Sequence, residues 1–213
     1  MIKIKELFSM NIFTVKRILI PALMILFFSG SLLAKDKIPA KYIKPDIDLA
    51  AYKKVQIRPL NLDDMLVLKP AWEQDNTEQW QLKIKEISTI QKLFMDAMQK
   101  ELSASGSYKL VTTSAADVLL IEVEILTITP YVKPGTKNED GGQTIETLGS
   151  GDLVFSAEFR DSKTRELLIL VEGERTIGDK YKKLSRENHM KNVAGLFEKW
   201  GRKIRETLDN DRN

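Results

Sequence analysis

The sequence predicts an α+β fold: a mostly antiparallel sheet of about five strands with two amphipathic helices packed on it, in the order β-α-β-β-β-β-α. Three observations carry this. Two stretches place apolar residues at helical spacing, three place them in alternation, and a short turn joins one of the alternating stretches to a returning strand as a hairpin.

Residues 35–50 hold Pro39 and Pro45 without periodicity and read as an extended lead-in. Tyr52–Arg58 alternates polar and apolar residues for a short strand that Pro59 ends. Residues 60–80, with Asp63-Asp64, Pro70, Trp72 and Trp80, read as a long connection; structureless connections of that length in small domains are often functional. Ile84, Ile87, Phe94, Met95, Met98 and Leu102 then form a helical stripe, with Gln91 its one polar member, and Gly106 follows as a stop signal.

Tyr108–Thr112 reads as a short strand and Val118–Thr129 as a long one. Leu119, Ile121, Val123 and Ile125 fall on one face of the long strand, with Glu122 and Glu124 on the other. After a second long loop, 131–151, Leu153, Phe155, Ala157 and Phe159 alternate with Val154, Ser156, Glu158 and Arg160. Asp161–Arg165 is the turn and Glu166–Thr176 the returning strand. Beyond the polar stretch 177–188, Val193, Leu196, Phe197, Trp200, Ile204 and Leu208 mark the last helix.

The N-terminal segment reads as an export signal. Lys16 and Arg17 precede an apolar run, Ile18–Leu33, which ends at Ala34 before Lys35-Asp36-Lys37. The run is shorter than the roughly 20 residues a membrane-spanning helix needs, and Pro21 interrupts it. The expectation is therefore cleavage after Ala34, with an uncleaved inner-membrane anchor at 18–33 as the alternative and Met10 as an alternative start. Residues 1–34 are then a signal peptide, 35–50 the lead-in and 51–213 a single α+β domain located in the periplasm, with no stable membrane anchor after cleavage.

Charge follows the same division. The whole chain of 213 residues carries a formal +3, but Lys3, Lys5, Lys16, Arg17 and Glu6 all lie in the first 34 residues. Without them, 29 basic side chains face 29 acidic ones, and a neutral domain has no electrostatic reason to seek phosphate backbones. Nucleic acid is excluded as an expected partner. The chain has no cysteine, which rules out disulfides, thiolate nucleophiles and cysteine-ligated metals.

The pieces together resemble a family. Pro45–Pro59, Ala116–Leu119, Ala157–Leu168 and Phe197–Arg205 match, in order, an uncharacterised proteobacterial family of predicted lipoproteins, domain of unknown function 3313. The resemblance implies a cell-envelope location and supplies no catalytic residues. Two departures stand out. Family members usually carry a lipid-anchor cysteine, which is absent here, and Arg165 occupies a turn position where the family usually has glycine; glycine there implies a positive φ, so Arg165 implies a small strain or a changed turn.

Chemical motifs are sparse. His189, the single histidine, lacks a second histidine for a metal and a matched Ser and Asp for a triad, so a surface or capping role is expected. Glu122, Glu124, Glu158, Glu172 and Glu174 could share one sheet face, either as the wet side of antiparallel strands or as paired carboxylates of an envelope hydrolase. Asp63-Asp64 and Asn138-Glu139-Asp140 lack calcium-loop spacing. Gly141-Gly142 and Gly149-Ser150-Gly151 lack the strand-to-helix setting of a phosphate loop. No catalytic, cofactor or metal residue is assigned. Trp72, Trp80 and Tyr131, aromatic and in long loops, are the candidate partner-binding residues. The expected function is a non-catalytic accessory protein of the bacterial envelope whose partner is another envelope protein or a cell-wall component.

Overall fold

A computed structural model of the chain describes residues 40–73, 80–104, 106, 108–134 and 145–210. The segment read as an export signal, Asn138-Glu139-Asp140 and Gly141-Gly142 lie outside them. The strands are β1 (Tyr42–Ile43), β2 (Lys54–Ile57), β3 (Leu66–Val67), β4 (Lys109–Leu110), β5 (Val118–Pro130), β6 (Glu146–Leu148), β7 (Gly151–Asp161), β8 (Leu167–Thr176) and β9 (Tyr181–Lys183). The helices are α1 (Ile84–Ser103) and α2 (Arg186–Asn210).

The α+β class holds, but the sheet is mixed and larger than five strands. Seven strands lie in the order β1-β8-β7-β5-β2-β4, with β3 also paired to β5. The β5-β7-β8-β1 half is antiparallel, whereas β2 and β3 run parallel to β5, and β4 runs parallel to β2. The physical reason is the helix between them. A strand that leaves the sheet through a crossover helix returns in the same direction, so β2-α1-β5 is a parallel unit.

The connection 60–80 is also more ordered than its composition implies. Pro59 breaks β2, yet the chain keeps running along β5. Asn61 N–H donates to the Val123 carbonyl at 2.9 Å, Ile125 N–H donates back at 3.1 Å, and β3 pairs with Thr127 and Ile128. Leu60 and Leu62 are buried between these contacts. The lead-in likewise adds an edge strand, with Tyr42 opposite Leu170. Within the stretches read as loop, β6 and β9 form a separate two-stranded ribbon.

The core lies between one sheet face and the two helices. Leu119, Ile121, Val123 and Ile125 of β5 and Leu153, Phe155 and Ala157 of β7 point to it, as the alternation predicts. The helical stripe is rotated from the predicted one: Ile90, Phe94, Ala97, Met98 and Leu102 are buried, whereas Ile84 is 83% exposed. Gln91 uses its position at the stripe's margin to donate to the Leu60 carbonyl at 3.0 Å. The helices run parallel, with Glu86 paired to Arg186 at their starts (2.7 Å) and Phe94 set edge-on to Phe197 at 5.4 Å midway. Gly201 permits the close approach, since a Cβ there would come within 3.0 Å of Glu101 Cβ. Trp200 packs on Phe155 at 4.5 Å, as expected of a core-facing residue.

Candidate interaction surface

The face of the sheet turned away from the helices holds the predicted carboxylates. The register sets Glu122 directly opposite Glu158, Glu124 opposite Ser156, Ser156 opposite Glu172 and Val154 opposite Glu174. All five glutamates therefore share one face, and they fall into two unlike groups.

At one end the carboxylates are matched by guanidinium groups. Glu122 lies 2.9 Å from Arg165, 3.7 Å from Arg160 and 3.9 Å from Arg58. Glu158 lies 2.7 Å from Arg160. Two carboxylates facing each other across strands would repel, and the arginines convert the repulsion into a lattice of charge-assisted bonds. Arg165 adopts φ 65°, the left-handed conformation its place in the turn implies, while its side chain reaches back to Glu122. The turn is tied by Asp161, whose Oδ1 accepts from Lys163 N–H, Thr164 N–H and Thr164 Oγ1. Burial pushes the Asp161 carboxyl up, but the bonds from Thr164, Tyr52 and Lys163 outweigh it, so it sits below the ordinary carboxylate range.

At the other end the surface changes character. Tyr131 follows β5 and donates its hydroxyl to Asp152 Oδ2 at 2.6 Å. Burial, then the Asp152 bond and the nearby charges of Asp152 and Glu174, push the Tyr131 phenol up to about 12. Trp72 stands edge-on to Tyr131 with ring centroids 4.8 Å apart, and is 58% exposed. Leu126, extruded by a bulge between Ile125 and Thr127, and Leu66 and Leu68, which flank Val67 in β3, are exposed as well. Asp152, Glu124 and Glu174 have no ion pair among the described residues. Thus one end of the face neutralises its own charge, and the other leaves carboxylates and aromatic surface to solvent.

The three candidate aromatics separate accordingly. Trp72 and Tyr131 come together on the open face. Trp80 does not join them: it is 6% exposed, buried ahead of α1, and its indole N–H has no hydrogen-bond partner among the described residues. Position along the chain could not distinguish Trp72 from Trp80, because both lie in a segment without periodicity.

His189 departs from the surface or capping role expected of it. It sits inside the first turn of α2, is buried, and its Nδ1 donates to the Ser150 carbonyl at 3.0 Å with Ser150 Oγ at 3.1 Å. Burial holds the imidazole below its usual range, so the neutral form is favoured. The Ser150 hydroxyl donates to the Ile177 carbonyl and accepts from Asn192, which leaves it a buried structural link and not an activated nucleophile. The cleft beside His189, lined by Leu82, Glu86, Ile90 and Pro130, has a volume of about 20 Å³, room for about one water. Among the described residues, no group of three or more His, Asp or Glu side chains is arranged to hold a metal.

Comparison with known proteins settles the family. A family model described as "Protein of unknown function (DUF3313)" matches residues 31–204. The chain belongs to that family. No curated protein matches it. Among solved structures, PelC from Paraburkholderia phytofirmans, described as a dodecamer, is 8% identical with a TM-score of 0.37, over 75% of this chain and 91% of that one. A minor lipoprotein from Acinetobacter baumannii is 14% identical with a TM-score of 0.34, over 76% of this chain and 95% of that one. Among the described residues of this DUF3313 member, no helix is long and apolar enough to cross a membrane.

Proposed function

We propose that this DUF3313 protein is a non-catalytic accessory of the bacterial cell envelope, exported by residues 1–34 and acting in the periplasm as a binding module. The observation that carries the reading is the Trp72–Tyr131 pair on the sheet face turned from the helices, with Asp152, Glu124 and Glu174 around it making no ion pair among the described residues. Exposed aromatic surface ordered against its own side chains is characteristic of binding hot spots, where a rigid ring is buried by the partner at small entropic cost. The charged n-region and short apolar run before Ala34 support the location.

Crosslinking and pull-down from intact cells tests this reading. The wild-type protein should capture a distinct partner, and Trp72→Ala should lose most of that capture while folding normally. Capture that is indifferent to Trp72→Ala, or loss of a measurable hydrolytic activity on Glu158→Gln in a folded protein, contradicts it. Mass spectrometry of the mature N-terminus tests the location, with Lys35 expected as the first residue.

A further inference from the structure

β8 is 10 residues long, but the strand beyond it covers little of that length. β1 pairs only with Ile169 and Leu170, and among the described residues no other strand lies on that side. The direction of the backbone groups in the uncovered part is fixed from both ends. The Leu168 and Leu170 carbonyls accept from Lys44 and Lys41 N–H at 2.8 Å, so even-numbered residues face outward. Ile177 donates its N–H to the Gly151 carbonyl and accepts from Ser150 N–H, so odd-numbered residues face β7. The β7–β8 register runs without a shift from Asp152 opposite Thr176 to Phe159 opposite Ile169, so the alternation holds throughout. Glu172, Glu174 and Thr176 therefore turn N–H and C=O away from the sheet along roughly 17 Å of strand. The Glu174 carbonyl accepts a long bond, 3.5 Å, from the neighbouring Arg175 guanidinium. A row of this kind is a template for another extended chain.

The molecule itself shows which chemistry the edge takes. β1 is an extended segment seated on it, and the lysines that flank β1 reach carboxylates of the partner strand and its turn. Lys41 pairs with Glu172, and Lys44 lies 2.7 Å from Glu166. The next carboxylate along, Glu174, is exposed and has no ion pair among the described residues. We infer that the Glu172–Thr176 edge receives an extended segment of a partner protein that carries lysine or arginine at alternate positions. The segment's backbone completes the outward N–H and C=O groups, and its cations meet Glu174 and Glu172 on the open face. A second copy of β8 is a poor occupant. Antiparallel pairing about residue 173 sets Glu172 opposite Glu174, about 174 sets Glu174 opposite itself, and about 175 sets Arg175 opposite itself. This inference rests on the reading of the protein as a binding module and names a chemistry for what it binds.

Amide hydrogen exchange on the purified protein, read residue by residue, tests it with a short peptide that alternates threonine and lysine. In the protein alone, the Glu172, Glu174 and Thr176 amides should exchange about a hundredfold faster than those of Val171, Gly173 and Arg175, which face β7. The peptide should slow the three outward amides by about tenfold and leave the other three unchanged. The same peptide with glutamate for lysine should have no effect. Glu174→Lys should reverse that preference, and thermal melting shows whether the variant is folded. Slow exchange at the outward amides in the protein alone overturns the inference, because the edge is then already covered, by a second copy if the slowing grows with concentration. So does a peptide effect that ignores the sign of the charge, or no effect at all. If the edge fails while capture in intact cells still depends on Trp72, only the edge assignment falls; if Trp72→Ala also leaves capture unchanged, the binding-module reading falls with it.

Discussion

The arginine end and the aromatic end of the open face are built on the same strands, and they resolve the same electrostatic problem in opposite ways. Both place carboxylates on neighbouring strands. Around Glu122 and Glu158 the chain supplies Arg58, Arg160 and Arg165, so the charges are satisfied within the fold. Around Asp152, Glu124 and Glu174 it supplies two aromatic rings and, among the described residues, no ion pair: Asp152 accepts from the Tyr131 hydroxyl, Glu124 from the Asn61 amide, and Glu174 is exposed. The first end contributes to holding the domain together. On the proposed reading, the second is left for a partner.

If that contrast is right, substitutions should sort by which end they touch, with the core as the upper bound. Phe94→Ala, which removes a fully buried ring packed edge-on to Phe197, should cost about 3–5 kcal/mol in chemical denaturation. Arg160→Ala should cost about 1 kcal/mol, since it takes from Glu158 its guanidinium partner opposite Glu122, while Glu122 keeps Arg165 and both carboxylates remain partly solvated. A loss below about 0.3 kcal/mol would mean that the arginine lattice is ornamental.

Two pH effects sharpen the picture. His189 is held below its usual range chiefly by burial, so its neutral form is favoured in the fold. Its contribution is therefore complete above the unfolded value of about 6.5 and is lost as pH falls through the lower folded value, at up to about 1.4 kcal/mol per pH unit. Tyr131 is raised to about 12 by burial first, so its contribution is complete below about 10 and is lost as pH rises toward 12. Tyr52, likewise raised to about 12 by burial and its bond to Asp161, adds to the same alkaline loss. Stability-versus-pH curves should thus fall on both sides, and Tyr131→Phe should flatten the alkaline arm.

The smallest stability effects belong to the aromatic end. Trp72→Ala and Glu174→Ala should change stability by no more than about 0.5 kcal/mol, because neither removes a buried contact of the core. Their effect should appear in association alone.

How much of this was legible in the sequence depends on whether a feature is local. The alternation along β5 and β7 placed Leu119, Ile121, Phe155 and Ala157 inside and the glutamates outside, and the structure agrees. Arg165 in the glycine position correctly implied a positive φ. The parallel pairing of β2 was within reach, since a helix separates it from β5. The continuation of 60–68 along β5 was not, because Pro59 and Asp63-Asp64 mimic a loop while Leu60 and Leu62 find burial only in the tertiary fold. The separation of Trp72 from Trp80 and the burial of His189 against Ser150 are long-range facts without a local signal. The arginine lattice is intermediate: alternation predicts the shared face, but which guanidinium reaches which carboxylate depends on the turn at 161–165.

The contrast between the two ends can be tested with one probe at two positions. A photo-activated crosslinking residue placed at position 72 and, separately, at position 158, each in intact cells, asks which end of the open face meets another molecule. Efficient crosslinking from position 72 with little from 158 is the result expected of an aromatic end left for a partner. Equal crosslinking from both positions, or crosslinking from 158 alone, would contradict that assignment.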